Sequence, residues 1–317
     1  MTAPDTESFQ AWLRATRDTV NAALDRYLPR AGDCPALLCE AMRYSALGGG
    51  KRLRPVLALA AAGTVAASAG GAIEAAEALA LPAAVAIEMI HSYSLIHDDL
   101  PAMDDDTLRR GRPTLHVAYN EGLAILAGDG LHAEAFGLIA REPATAAVAA
   151  EPLTARKLRT IAMVAAAAGA AGMVGGQAID LQAMAPGAPP MDADRLREMH
   201  ARKTGALIRA AAGAGAIMAG GSDEVIAAID HYAADLGLAF QITDDILDVE
   251  GDTSTLGKTA GKDAAAGKPT YPALFGLDES RRRARGCVER AHAALAGAGL
   301  EAGWLGMIAA WVVARTS

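Results

Sequence analysis

Aromatic residues are scarce in this sequence: four Phe, six Tyr and three Trp among 317 positions. Strands draw on aromatic and β-branched residues in period-2 alternation, and few segments show that pattern. Long stretches of Ala, Leu, Met and Glu favour helix instead, so an all-α chain is expected. Cysteine is also rare. Cys34, Cys39 and Cys287 are odd in number and lack the CxxC spacing, so three free thiols in a reducing compartment are expected. Basic residues are outnumbered, 29 Lys and Arg against 37 Asp and Glu, for a net charge of -8. No basic face is evident, which argues against a nucleic-acid partner. Met1 to Gln10 is polar and acidic rather than a secretory signal. With the thiols, this points to the cytoplasm. Charge is absent from Thr160 to Ile179, a stretch long enough to span a bilayer. It is mostly Ala and Gly, only weakly apolar, and Asp180 follows directly. A tightly packed internal helix without stable membrane insertion is therefore expected.

Against this background the acidic residues are clustered. Asp98, Asp99, Asp104, Asp105 and Asp106 fall within nine positions, directly after the mostly apolar run from Leu79 to Ile96. Carboxylates so close repel one another, and burial disfavours their charged form. With no Lys or Arg nearby before Arg109, a divalent cation is the simplest partner, and all-oxygen ligands favour Mg²⁺. A second cluster, Gln241-Ile242-Thr243-Asp244-Asp245-Ile246-Leu247-Asp248, lies about 140 residues on. On a helix Gln241, Asp244 and Asp248 share one face. Two acidic faces meeting across a cavity could hold several Mg²⁺ ions and a diphosphate.

The segment His97 to Asp106, followed by Leu108-Arg109-Arg110-Gly111, resembles the first aspartate-rich motif of the trans-isoprenyl diphosphate synthases. Asp244-Asp245-Ile246-Leu247-Asp248 resembles the second. The similarity runs from about residue 8 to the C-terminal helices and is nearest to the bacterial short-chain members that make farnesyl diphosphate. It implies an isoprenoid-synthase-type helical bundle around a central cavity, a single domain over residues 1–317, and a homodimer. It also implies Mg²⁺, two or three ions per site, with Asp98, Asp104 and Asp244 as ligands and Asp99, Asp105 and Asp248 close by.

Along the chain, Gly48-Gly49-Gly50-Lys51-Arg52-Leu53-Arg54-Pro55 reads either as a flexible solvated loop or as a backbone freed to approach an anion beside three cations. The resemblance implies the second, with Gly50, Lys51 and Arg54 binding isopentenyl diphosphate. His91 lies seven residues before Asp98, about 10 Å along a helix, and reads as structural on its own. The resemblance places it on isopentenyl diphosphate. Tyr93 lies about 7.5 Å before Asp98. It is an ordinary core Tyr or, with Ser94, the floor that limits product length. Arg109 and Arg110 form a solvated pair or two bidentate phosphate clamps. The resemblance assigns Arg109 to the allylic and Arg110 to the homoallylic diphosphate.

Glu121 to Ala140 and Arg156 to Leu181 read as long buried helices. Gln177 and Asp180, at i and i+3, reach the cavity or satisfy each other in the core. Asp192 or Asp194 caps the next helix. There Lys203, followed by Thr204 and Gly205, suggests a kink that exposes carbonyls. By resemblance Lys203, Thr204 and Gln241 face the allylic substrate. Gly251 to Lys258 has one residue too many for a phosphate-binding P-loop and follows a helix, so it is rejected. The resemblance instead gives Lys258 and Lys268 to the diphosphate. Trp304, Leu305, Ile308 and Trp311 suggest a packing helix, and Arg315 is the only cation in the tail, leaving a tail contact to the site unsupported.

The expected chemistry is head-to-tail prenyl transfer from dimethylallyl and geranyl diphosphate to isopentenyl diphosphate, giving (2E,6E)-farnesyl diphosphate. Geranyl or geranylgeranyl diphosphate is the alternative product. A terpene cyclase would lack the Gly-Gly-Lys-Xaa-Xaa-Arg-Pro segment, and a non-catalytic prenyltransferase subunit would lose acidic motif residues; this sequence keeps both.

Overall fold

A computed structural model describes residues 5–185, 187, 189–250, 270–300 and 303–315. Its architecture is the expected all-α bundle. Helix α1 (Thr6–Tyr27) starts where the Asp5 side chain accepts from the Ser8 amide, and Pro29 follows its end. Helices α2 (Ala36–Ala46), α3 (Leu53–Ser68) and α4 (Ile73–Asp98) follow. Nearly every residue of α3 from Leu53 to Ala66 is buried, so it runs through the middle of the bundle rather than along its surface.

A small antiparallel hairpin, β1 (Leu108–Arg109) with β2 (Arg112–Pro113), interrupts the helices. Its two turn residues, Arg110 and Gly111, both have positive φ, the geometry of a two-residue hairpin turn. Then come α5 (Leu115–Ala118), α6 (Glu121–Arg141), α7 (Ala150–Ala168) and α8 (Met173–Ala183). Here the structure departs from the expected single buried helix over Arg156 to Leu181. The chain bends between Ala168 and Met173, where Gly169 and Gly172 lie against the carbonyls of the preceding turn. Both α6 and α7 also keep exposed apolar side chains, among them Ile125, Leu126 and Leu158. By length and composition alone, α6, the α7–α8 pair and α11 (Asp223–Glu250) could each cross a membrane.

Asp192, not Asp194, caps α9 (Ala193–His200) by accepting from the Arg195 amide. The expected kink is a π-helical turn, Ala201–Gly205, leading into α10 (Ala206–Ala219). Helices α11, α12 (Tyr271–Phe275), α13 (Leu277–Gly297) and α14 (Gly303–Ala314) complete the bundle. The core divides into two apolar clusters. One centres on α4 and α6 with part of α3, the other on α11, α13, α14 and the remainder of α3. Trp12 of α1 stacks on Trp304 of α14, with 4.9 Å between ring centroids, so the two ends of the chain close on each other. The cysteines differ from expectation. Cys34 folds back from the turn before α2 onto Cys39, one turn into it, and the two form a disulfide, while Cys287 is free and buried.

Candidate active site

The loop between α2 and α3 is strained by design. Gly49 and Gly50 have positive φ, and so does Arg52, at 52°. A side chain at Gly50 would meet the Arg110 guanidinium at 2.6 Å, so only glycine fits there. What holds Arg52 in this conformation is a buried ion pair. Its guanidinium donates to Glu88 of α4 at 2.8 Å, to the Ala46 carbonyl at 2.9 Å and to Asn21 of α1 at 3.0 Å. Both partners are almost wholly buried, and losing either would leave an uncompensated charge costing about 3–5 kcal/mol. This pin turns Lys51 and Arg54 toward a cavity of about 600 Å³.

That cavity gathers residues from across the chain: Gly50, Lys51, Arg54, His91, Arg109, Arg110, Thr204, Gln241, Asp244 and Asp248. All were singled out in the sequence. Arg52, one of the three cations of the glycine segment, also lines it, and Arg17, Glu88 and Phe240 line it and were missed. Arg17 sits mid-helix in α1, and its donation to the Lys51 carbonyl at 3.0 Å crosses 34 residues, which no local pattern signals. Glu88, three residues before His91, was legible as a charge inside an apolar run.

In the cationic half one donor is left over. Among the described residues, Arg54 Nε is buried with no hydrogen-bond partner. Burial lowers its pKa, as it does for Arg110. His91 is pushed well below the usual histidine range, first by burial and then by Arg54, Arg110 and Arg109 nearby, so it is a neutral imidazole. Arg110, itself at positive φ, donates to the Gly49 carbonyl and so ties the hairpin to the glycine loop. An anion would satisfy this region.

The acidic half is arranged differently. Past Asp98 the chain reverses: the Asp104 amide donates to the Asp98 carbonyl at 2.9 Å and the Asp106 amide to the Asp99 carbonyl at 3.1 Å. This loop, not a helix face, puts Asp98 and Asp104 side by side. Asp99 departs from the metal-side expectation. It is 4% exposed, and both its oxygens accept from Arg109 Nε, at 2.8 and 2.9 Å. Asp99 therefore anchors Arg109 instead. Lys203 of the π-turn lies 3.6 Å from Asp98 and 2.6 Å from Asp180. Burial alone would lower its pKa, but Asp98 and Asp180 outweigh that and raise it.

On the cavity wall, Asp244 is 2.8 Å from Arg315. Arg315 also donates to the Phe240 carbonyl at 2.8 Å and lies 4.0 Å over the Phe240 ring. A tail contact to the site thus exists after all, because α14 packs back along α11. Asp245, beside Asp244 in sequence, points away and accepts from the Tyr271 amide at 2.8 Å.

Among the described residues, no three His, Cys, Asp or Glu side chains converge on one point. The two acidic motifs supply hard oxygen donors: Asp244 and Asp248 line the cavity, while Asp98 stands beside Lys203 and does not line it. That set suits Mg²⁺, which keeps waters and shares phosphate oxygens, better than an ion caged by protein alone. Tyr93 is 8% exposed and packs on α6, with its ring 4.6 Å from that of His132 and 5.5 Å from that of His97. The Ser94 hydroxyl donates to the His91 carbonyl at 2.8 Å. Lys258 and Lys268 lie outside the described residues.

A helical bundle with a cavity lined by cations and by the carboxylates of α11 fits a class of diphosphate-handling enzymes. Within that class the polyprenyl synthetase family model matches residues 35–296. The farnesyl diphosphate synthase of Escherichia coli K12 is 46% identical over 288 residues, covering 90% of this chain and 91% of that one. Geranylgeranyl pyrophosphate synthase 11 of Arabidopsis thaliana is 46% identical over 281 residues, covering 86% and 72%. A geranyltransferase from Helicobacter pylori, solved with magnesium and isoprenyl diphosphate, superposes with a TM-score of 0.80 at 28% identity, covering 99% and 98%. The chain belongs to the polyprenyl synthetase family and is a prenyltransferase with the isoprenoid-synthase helical fold.

Proposed function

We propose that the enzyme condenses isopentenyl diphosphate with dimethylallyl and then geranyl diphosphate to give (2E,6E)-farnesyl diphosphate. The observation that carries the product length is Tyr93. Its ring is buried about 7.5 Å before Asp98 along α4 and is backed by His132. A prenyl tail running from Asp98 along α4 meets that ring as a floor, with Ser94 beside it. The E. coli relative supports the same product. The Arabidopsis relative, at the same identity, favours the second reading, a twenty-carbon product.

In this reading Gly50, Lys51, Arg54, His91 and Arg110 hold isopentenyl diphosphate. Asp98, Asp104 and Asp244 hold two or three Mg²⁺ ions, with Asp248 supporting them. Bound magnesium offsets the charge of the departing diphosphate. Lys203 and Arg109 add fixed positive charge at the leaving oxygens, with Lys258 and Lys268 assigned there by resemblance. Thr204, the carbonyls of the π-turn and Gln241 flank the place where the allylic cation forms. The double bond of isopentenyl diphosphate attacks it, and the departing diphosphate takes the proton released.

A cytoplasmic homodimer of single-domain chains completes the proposal. The exposed apolar residues of α6 and α7, Ile125, Leu126 and Leu158, offer a face for a second copy. The bend at Gly169–Gly172 and the half-buried state of α11 support work without membrane insertion.

The test is product analysis with Mg²⁺, labelled isopentenyl diphosphate, and dimethylallyl or geranyl diphosphate in turn. A fifteen-carbon product from both primers, lengthened by Tyr93→Ala, is expected. A twenty-carbon product from the unaltered enzyme would replace this reading with the second one.

A further inference from the structure

The Gly175-Gly176-Gln177-Ala178-Ile179-Asp180 stretch has no role in the reaction as described so far, yet it touches the allylic half of the site at three points. A side chain at Gly176 would come within 2.1 Å of the Lys203 backbone nitrogen and 2.5 Å of its Cα. Helix α8 therefore lies directly against the π-turn. One turn on, Asp180 is 4% exposed and accepts from Lys203 Nζ at 2.6 Å. On the same helix face, Gln177 donates to Asp98 Oδ1, while Lys203 approaches Asp98 Oδ2.

We propose that α8 is a positioning platform for the allylic diphosphate, with Asp180 acting through Lys203 and Gln177 acting through Asp98. The inference rests on the prenyl-transfer reading above. A lysine side chain is long and loses rotamer freedom when fixed. Asp180 meets that requirement before substrate arrives. The ammonium has three donors; Asp180 occupies one and Asp98 lies 3.6 Å away, so Lys203 can still donate to a phosphate oxygen. Lys203 is thus aimed in advance and need not reorganise as charge develops. Gln177 does the same for Asp98, fixing one carboxylate oxygen. His200, the next titratable group beside Asp180 and Lys203, is held neutral and adds no competing charge.

The test compares the unaltered enzyme with Asp180→Asn, Lys203→Ala, the double variant and Gln177→Met, with helicity checked by circular dichroism. Asp180→Asn is expected to lower kcat/KM for the allylic diphosphate about 10- to 100-fold, the range of other outer-shell partners. The KM for isopentenyl diphosphate stays within about twofold. On the Lys203→Ala background Asp180→Asn adds almost nothing, because the two act as a unit. Equal losses toward both substrates, a full additional loss in the double variant, or unaltered kinetics would overturn the proposal. Should Asp180→Asn not fold, Gln177→Met carries the test: a raised magnesium requirement and allylic KM support it, and unchanged values overturn it. Calorimetry with Mg²⁺ and inorganic diphosphate separates the two layers. If the unaltered enzyme makes no prenyl product, the prenyl-transfer reading fails, while about tenfold weaker diphosphate binding by Asp180→Asn still upholds the platform. Equal diphosphate binding overturns it.

Discussion

The two halves of the site meet their charge in opposite ways. Around Gly50, Lys51, Arg54, His91 and Arg110, cations crowd together, and Arg54 Nε is buried with no partner among the described residues. Around the aspartates, Asp98, Asp99 and Asp244 each face a cation of the chain. Lys203 sits by Asp98, Arg109 takes Asp99, and Arg315 pairs with Asp244. The first half is prebuilt for an anion. The second already pairs its carboxylates with cations of the chain. In the proposed reaction, one half would hold its ligand by fixed protein charge and the other through a metal.

That contrast can be broken or sharpened in four ways. Asp98→Ala or Asp244→Ala should lower turnover by more than about 100-fold, since outer-shell partners alone cost up to that. Circular dichroism should show the helices intact; near-normal turnover would end the metal assignment. Arg54→Met should raise the KM for isopentenyl diphosphate by about 30-fold, equivalent to about 2 kcal/mol for one arm of a buried charge pair. The allylic KM should hold, and isopentenyl diphosphate binding by the unaltered enzyme should survive EDTA while allylic binding does not.

A third prediction concerns pH. His200 is buried, and its pKa falls from about 6.5 to about 4 on folding, chiefly from desolvation. With the folded value below the unfolded one, its contribution is complete above about pH 6.5 and is lost as pH falls toward 4. The loss amounts to about 2 kcal/mol by pH 5. Urea midpoints of His200→Gln should decline less between pH 7 and pH 5 than those of the unaltered enzyme; parallel declines would remove His200 as the cause. The smallest effect is expected from Arg315→Ala. Asp244 is 39% exposed, so solvent screens the pair and about 0.5 kcal/mol is at stake. Freed of its internal cation, Asp244 should admit metal more readily, lowering half-saturating Mg²⁺ about twofold. An unchanged titration would mean that Arg315 and the metal do not compete.

Much of this site was readable in advance because its chemistry is local. The Gly-Gly-Lys-Arg-Leu-Arg-Pro run and both aspartate clusters carry their ligands within a few residues, and the Gln241, Asp244 and Asp248 face follows from helical spacing. The π-turn was foreshadowed by glycine after Lys203 and Thr204. What could not be read was which charge answers which. Asp99 looked like its neighbour Asp98 in sequence, yet one anchors Arg109 while the other faces Gln177 and Lys203. The break at Gly169–Gly172 was hidden inside a uniform Ala-rich run whose length alone suggested continuity.

The sequence by itself determined the helical class and the order of the motifs, and its clustered carboxylates pointed to hard-oxygen chemistry, since composition and short-range spacing carry these. The tertiary structure alone decided the pairings of Arg52 with Glu88, Lys203 with Asp180 and Arg315 with Asp244. These partners lie on different elements far apart in the chain, and a buried charge is satisfied by whichever opposite group the packing delivers to it, a choice made only when the helices close around the cavity.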